Sequence, residues 1–154
     1  MNKSSASELD IAFELQERAA AVGFDWPDAA GPRAKIAEEL AELEEAAAPL
    51  LRDSREGKIP VEASASEEKV KEELGDLLFA VVNLARHLNV APEAALAAAN
   101  RKFQRRFRYI EKRLAAESLR PDGVDLARLD ALWNEAKQRE RISKNSPIPN
   151  PQDR

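Results

Sequence analysis

Apolar residues recur at intervals of three and four along most of this chain, the spacing that places them on one face of an α-helix. Few segments alternate as a β-strand would. Together with its capping residues and breaks, the pattern predicts five helices. The first follows Ser7 and ends near Gly23, the second runs from about Pro32 to Pro49, and the third follows Ser66. The fourth follows "NVAP" and the last contains "LARLDALWNEAKQRERI". The predicted fold class is all-α, a helical bundle.

Segments rich in glycine, proline, serine and charge predict the irregular parts of the chain. Residues 50–66, "LLRDSREGKIPVEASAS", are interpreted as a mobile loop. Residues 1–7 are expected to form a flexible N-terminus, and residues 143–154 a disordered tail. The 154-residue length is typical of one domain, which we assign to residues 8–142.

The third predicted helix opens with three acids and then runs from 77 to 85 without a charge. At 100° per residue, its broad apolar stripe is expected to face the core; it contains Val70, Leu74, Leu77, Leu78, Val81, Ala85 and Leu88. A second stripe, small and uncharged beyond its carboxylates, contains Glu73, Asp76, Ala80, Asn83 and His87. We expect a second subunit to cover this stripe, in a homodimer or a dimer of dimers.

The second helix also combines an apolar stripe with acids. Its expected core stripe contains Ile36, Leu40, Leu43 and Ala47, and the opposite side contains Lys35, Glu38, Glu39 and Glu42. Like charges one turn apart repel each other, and a shared cation would remove that repulsion. Carboxylate ligands without cysteine or a nearby histidine suit Mg²⁺ or Mn²⁺ better than zinc. An ordinary solvated acidic face explains these residues equally well.

The fourth helix carries a basic surface. Residues 101–113 include seven basic residues and one acid, and Lys102, Arg106 and Tyr109 share one face. That face could bind a polyphosphate or an RNA backbone, but a solvated face is the simplest interpretation of the residues alone. Trp133, taken by itself, is typical of a packed core residue.

Composition excludes several classes of protein. The 24 basic and 28 acidic residues leave a net charge of −4, which disfavours a general nucleic-acid binder. The absence of cysteine excludes disulfides and thiolate zinc sites. No run approaches the roughly 20 apolar residues that span a bilayer, so no membrane association and a cytoplasmic location are expected.

Six sequence blocks, in order, carry a resemblance to a known family. They are "VGFDWPD", "EELAE", "EELGD", "LLFAVVNLARHL", "ANRKFQRRFRYIE" and "LWNEAK", and the similarity covers about residues 13–137. The chain resembles the MazG family of all-α nucleoside triphosphate pyrophosphohydrolases, in particular the C-terminal catalytic domain of the bacterial two-domain proteins. The resemblance implies Mg²⁺-dependent conversion of a (deoxy)nucleoside triphosphate and water to the monophosphate and pyrophosphate, with a role in removing unwanted nucleotides.

The resemblance also implies roles for individual residues. The Mg²⁺ ligands of the family correspond to Glu39, Glu42, Glu73 and Asp76, and the adjacent acids that would position water to Glu38 and Glu72. The residues expected to contact the nucleotide are Lys35, Lys69, Lys102, Arg106, Trp133 and Lys137. The alternative is a non-catalytic helical interaction module, or an RNA-binding module, whose charged faces pair between subunits or with RNA.

Overall fold

The computed structural model describes residues 6–56 and 63–145, and it confirms the all-α class. Within these ranges there are five α-helices, one short 3₁₀ turn and no strand. The α-helices are α1 (Glu8–Ala21), α2 (Ala30–Glu56), α3 (Ala63–His87), α4 (Pro92–Ala116) and α5 (Leu126–Asn145), and the 3₁₀ turn is Pro121–Gly123. No helix in the described ranges is both long enough and apolar enough to span a bilayer.

Helix α1 begins and ends where its sequence predicts. The Ser7 hydroxyl accepts a hydrogen bond from the backbone N–H of Asp10 at 3.2 Å, and the Asp10 carboxylate accepts one from the Ser7 N–H at 3.4 Å, a capping box. At the other end Gly23 has φ +87°, and the N–H of Phe24 donates back to the carbonyl of Ala19 at 3.0 Å. This hydrogen bond closes the helix and requires the left-handed conformation that glycine adopts without strain.

Helices α2 and α3 are both longer than predicted. Helix α2 continues through Pro49 to Glu56, and α3 begins at Ala63 rather than after Ser66. A proline inside a helix costs about 3 kcal/mol, but the alanines and leucines on either side of Pro49 are strong helix formers. The prediction that α2 ends at Pro49 is therefore wrong.

The predicted loop at 50–66 is accordingly helical at both ends. Residues 57–62 lie outside the described residues, as do 1–5 and 146–154, so the flexibility expected of these segments stays a prediction. Helix α5 extends to Asn145, three residues beyond the predicted domain end at 142.

The chain divides into two compact units, one extending to Ala95 and the other beginning at Leu96. In the first unit, α1 and α2 both pack against α3. In the second unit, Ile110 and Leu114 of α4 and Leu132 of α5 form a buried core. The side chains packed around this core are Phe107, Val124, Leu129 and Trp133. The single domain assigned to residues 8–142 stays a prediction.

The residues that α2 and α3 bury most deeply are not those of the predicted core stripes. On α3, Glu73 and Ala80 are buried, whereas Leu74 and Leu78 of the expected core stripe are 45% and 52% exposed. On α2, Glu39 is buried and Leu40 is exposed. The cause is the packing of the two helices through their acid-bearing faces. The expectation that a second subunit covers the face of Ala80 is thus wrong, since this chain covers Ala80 itself.

Candidate active site

Helices α2 and α3 carry the same short motif, K-x-x-E-E-L-x-(E/D), at residues 35–42 and 69–76. Residues three and four positions apart share a helix face, so the lysine of each motif can reach both glutamates. On α2, the Nζ of Lys35 lies 2.8 Å from a carboxylate oxygen of Glu38 and 2.5 Å from one of Glu39.

The arrangement on α3 is equivalent. The Nζ of Lys69 lies 3.3 Å from a carboxylate oxygen of Glu72 and forms a closer ion pair with Glu73. Hydrogen bonds to Glu38 and, to a smaller extent, to Glu39 raise the pKa of Lys35. Hydrogen bonds to Glu73 and, to a smaller extent, to Glu72 raise the pKa of Lys69. Both lysines therefore remain cationic and partly neutralise the acids beside them.

Three carboxylates meet where the two helices face each other. One oxygen from each of Glu39, Glu42 and Glu73 lies within 4.8 Å of the others. Glu39 and Glu73 are buried and Glu42 is exposed. Although Glu42 is exposed, partial desolvation of its carboxylate raises its pKa, and the negative charges of Glu39 and Glu73 raise it further. This carboxylate cluster is therefore a site of concentrated negative charge.

The chemistry of the carboxylate cluster fits a bound divalent cation. The Oε2 atom of Glu39 is buried and has no hydrogen-bond donor among the described residues. A buried polar atom without a partner is unfavourable, and a cation beside it would supply the missing interaction. Oxygen-only ligands suit Mg²⁺ or Mn²⁺. A cleft of about 420 Å³, lined in part by Glu42, Lys69 and Glu73, opens next to the cluster.

The other predicted acids lie at the edge of this site. Asp76 is exposed and is not one of the three acids whose oxygens lie within 4.8 Å. Glu38 and Glu72 have side chains 57% and 65% exposed, each bound to its lysine. The sequence analysis places Glu39 opposite the expected core stripe of α2, yet Glu39 is buried, and so is Glu73. The roles of Asp76, Glu38 and Glu72 stay predictions.

The remaining predicted residues belong to the second unit. Arg106 donates two hydrogen bonds to Glu140, at 3.0 and 2.8 Å, and its guanidinium lies 5.3 Å from the ring centroid of Trp133. Lys102 is exposed, and within the described ranges it makes no ion pair. The Nζ of Lys137 lies 3.5 Å from the side-chain oxygen of Asn134. Their contact with nucleotide stays a prediction.

A second polar cluster near the end of α3 was not predicted. Asp25 accepts a hydrogen bond from Arg86 and contacts the His87 ring at 3.0 Å. The Arg86 guanidinium lowers the pKa of Asp25 to about 2. Next to this cluster, a cavity of about 410 Å³ lies between α1 and α3. The block "VGFDWPD" was the sequence signal for this region, but its residues received no role.

Comparison with known proteins agrees with this geometry. Residues 31–110, which contain both K-x-x-E-E motifs, match the MazG nucleotide pyrophosphohydrolase domain. The chain belongs to the MazG family. Two curated relatives are a nucleoside triphosphate pyrophosphohydrolase of Escherichia coli (strain K12) and a nucleoside triphosphate pyrophosphohydrolase/pyrophosphatase MazG of Thermotoga maritima.

The similarity to these two MazG proteins covers most of this chain but under half of theirs. The E. coli protein is 41% identical over 136 residues, 88% of this chain and 47% of its own length. The T. maritima protein is 43% identical over 129 residues, 84% of this chain and 44% of its own. This MazG chain therefore spans about half the length of the curated relatives it matches.

Proposed function

We propose that this MazG chain is a Mg²⁺-dependent nucleoside triphosphate pyrophosphohydrolase that produces a nucleoside monophosphate and pyrophosphate. The observation that carries the proposal is the convergence of Glu39, Glu42 and Glu73 in one cluster whose most buried member has an unpaired oxygen. A solvated acidic face would not bury two of its acids. The names of the bacterial relatives support the same reaction, and the proposal includes a cytoplasmic role in nucleotide housekeeping.

The acids of the cluster and the acids beside it would have different roles in the proposed reaction. Glu39, Glu42 and Glu73, with Asp76 as the fourth ligand, would hold Mg²⁺ or Mn²⁺. Such an ion neutralises phosphate charge and lowers the pKa of bound water. Exposed Glu38 and Glu72 would orient the attacking water.

Cations of this chain would bind the phosphates. Lys35 and Lys69 already hold the acids in position and would contact the nucleotide beside them. Lys102 and Arg106 would bind the leaving pyrophosphate through charge-assisted hydrogen bonds, with Trp133 and Lys137 completing the nucleotide contacts.

The position of bond cleavage tests the reaction. Hydrolysis of a panel of triphosphates in ¹⁸O-labelled water with Mg²⁺ should place the label in the nucleoside monophosphate, because attack occurs at the α-phosphorus and pyrophosphate leaves intact. Label in pyrophosphate, or a diphosphate as the main product, would contradict the proposed roles. Absence of turnover together with salt-sensitive RNA binding would instead support the non-catalytic module.

We also propose a homodimer or dimer of dimers, built on a different face of α3 from the one predicted. Leu74, Leu78 and Val81 are about half exposed, and Ile11 and Leu15 of α1 are exposed beside them. A groove of about 320 Å³ between α1 and α3 is lined by Ile11, Leu15 and Leu78. A contiguous apolar surface of this kind is typical of a subunit interface.

Light scattering tests the assembly. The wild type should exceed the 17.1 kDa mass of one chain at micromolar concentrations. Leu78→Lys, which places a charge in the middle of the exposed apolar face, should shift the particle towards that mass, while Leu126→Lys, at an exposed position in the other unit, should not. A wild type that remains at 17.1 kDa throughout would refute the dimer.

A further inference from the structure

The cavity between α1 and α3 has the composition of a small-molecule site. Its volume is about 410 Å³, within the range typical of ligand pockets. Leu15 and Ala19 of α1 and Phe79 of α3 line it with apolar surface, and Phe24 and Trp26 of the following loop supply aromatic rings. All these residues belong to the first unit. The charged residues of its lining, Asp25 and Arg86, pair with each other, so the cavity suits a flat ring rather than a charged group.

One polar group in this cavity lacks a partner. Gln16 lines the cavity and is 94% buried, yet its Oε1 atom has no hydrogen-bond donor among the described residues. Its amide nitrogen donates to the carbonyl oxygen of Phe79 at 2.8 Å. Because a carbonyl can only accept, the amide cannot be turned around without losing that bond. Gln16, a residue that lines the cavity, therefore holds a buried acceptor without a donor, and the group that satisfies it must be a donor.

The loop that carries the aromatic rings is held in place from two sides. Asp25 is bound by Arg86 and contacts His87, both on α3. The Trp26 ring lies directly against Gly31 in the first turn of α2, where a Cβ atom would come within 2.5 Å of the ring. Trp26 is thus positioned although 48% of it is exposed. A fixed, half-exposed indole is available for stacking with a flat ligand.

Helix α3 connects this cavity to the carboxylate cluster. Glu73 and Phe79 are six residues apart, about 9 Å along the helix axis at 1.5 Å per residue. The stripe formed by Glu73, Ala80 and Asn83 runs from the acids to Asn83, which lines the cavity. The sugar and α-phosphate of a nucleotide cover a comparable distance, so a nucleotide could place its base in the cavity and its phosphates at the acids.

We propose that this cavity binds the base of the substrate and that the Oε1 of Gln16 selects bases with an exocyclic amino group. The inference rests on the proposed function and names the substrate class of that site. An amino group donates to Oε1, whereas the oxo group of an otherwise similar base would face Oε1 as a second acceptor. A buried acceptor left without a donor is disfavoured, which makes such a contact selective.

Paired substrates test the selection directly. The wild type should have a kcat/KM about tenfold or more higher for ATP than for inosine triphosphate, and for CTP than for UTP. Gln16→Met, similar in size but without the acceptor, should reduce each ratio to within about twofold. Gln138→Met, at an exposed position in the second unit, is the matched control and should keep the wild-type ratios.

A binding measurement separates this inference from the hydrolase proposal. Calorimetry with adenosine and inosine monophosphates in EDTA should show the same amino preference in the wild type and its loss in Gln16→Met, whether or not the protein hydrolyses triphosphates. Gly31→Ala, which displaces the Trp26 ring, should weaken both ligands equally and leave their ratio unchanged.

Two outcomes would overturn the inference. One is equal binding of both monophosphates by the wild type, which would leave Gln16 a structural residue satisfied by a buried water. The other is hydrolysis with an amino preference that Gln16→Met leaves unchanged, which would leave the hydrolase proposal standing and place base selection elsewhere.

Discussion

The helix pair α2–α3 and the helix pair α4–α5 distribute charge and apolar surface in opposite ways. Between α4 and α5, Ile110, Leu114 and Leu132 are buried, as expected of a packed helix pair. Between α2 and α3, the buried side chains include Glu39 and Glu73, while Leu74 and Leu78 are exposed. The first arrangement stabilises a fold, whereas the second places acids together.

The difference distinguishes a pair of helices suited to stability from a pair that holds charge at a cost. Burying a carboxylate is unfavourable unless cations and hydrogen bonds compensate, and replacing buried ion pairs by apolar residues often stabilises a protein. Lys35 and Lys69 compensate for two buried acids, but the Oε2 of Glu39 remains unpaired. A pair of helices built for stability alone would bury its leucines instead.

The largest expected effect is a loss of stability, and it should be confined to the helix pair α4–α5, which buries apolar side chains. Leu114→Ala removes a fully buried side chain, so it should lower the free energy of unfolding by about 2–5 kcal/mol. Leu40→Ala, on the exposed side of α2, should cost no more than about 0.5 kcal/mol. Urea unfolding of both variants provides the measurement. Equal losses would erase the distinction between the two pairs.

The next largest effect is a loss of activity, and it should be confined to the helix pair α2–α3, which carries the carboxylate cluster. Glu39→Gln keeps the shape of the side chain but removes the charge at the centre of the cluster, so kcat/KM should fall about 100-fold or more. Circular dichroism should remain that of a folded helical protein. The control is Glu44→Gln, which changes an exposed acid of α2 outside the cluster and should keep the wild-type rate. A Glu39 variant with a near wild-type rate would refute the metal site.

A third prediction concerns the repulsion within the carboxylate cluster. Without metal, Glu42→Gln should raise the melting temperature at pH 7, because it removes a negative charge beside Glu39 and Glu73. With excess Mg²⁺ the wild type should have the higher melting temperature. A ligand that binds only the folded state stabilises that state, and the variant should bind the metal more weakly than the wild type does. Calorimetry in EDTA and in Mg²⁺ measures both melting temperatures. The same difference between variant and wild type in the two buffers would contradict the prediction.

The smallest expected effect is the pH-dependent contribution to stability of Glu135, a carboxylate in the helix pair α4–α5. Tyr109, which donates a hydrogen bond to Glu135, and the charge of Arg113 lower the pKa of Glu135. A lowered acid pKa stabilises the fold above the unfolded-state value, near 4.5, and this stabilisation disappears as the pH falls through the folded-state value. Glu135→Gln should thus be slightly less stable than wild type at pH 7. Urea midpoints should converge below pH 4.5, and a constant difference would contradict the assignment.

Much of the fold was predictable because its signals are local. The capping box at Ser7 and the positive φ of Gly23 involve neighbours within a few residues, and both ends of α1 agree with prediction. The length of α2 was not predictable. Whether a helix continues through Pro49 depends on the balance between the helix propensity of the flanking residues and the free-energy cost of the proline itself.

Three of the four acids predicted as metal ligands meet in one cluster, but the sequence did not predict their environment. Spacing brings each lysine to its glutamates, and the family resemblance implied that Glu39, Glu42, Glu73 and Asp76 share a cation. Gln16 could not be predicted as a site residue, because nothing local distinguishes a buried glutamine from a solvated one. Its unpaired oxygen is visible only when Phe79, 63 residues away, occupies its nitrogen.

The number of helices, the two ends of α1 and the paired K-x-x-E-E motifs could be predicted from sequence, since each depends mainly on residues close together in the chain. Which face each helix buries could not be predicted in this way. An amphipathic pattern identifies two faces but not their partners, and here Glu39 and Glu73 are buried while Leu74 and Leu78 are exposed. The choice depends on contacts between residues distant in sequence, and for this reason much of the predicted core stripe of α3 is exposed.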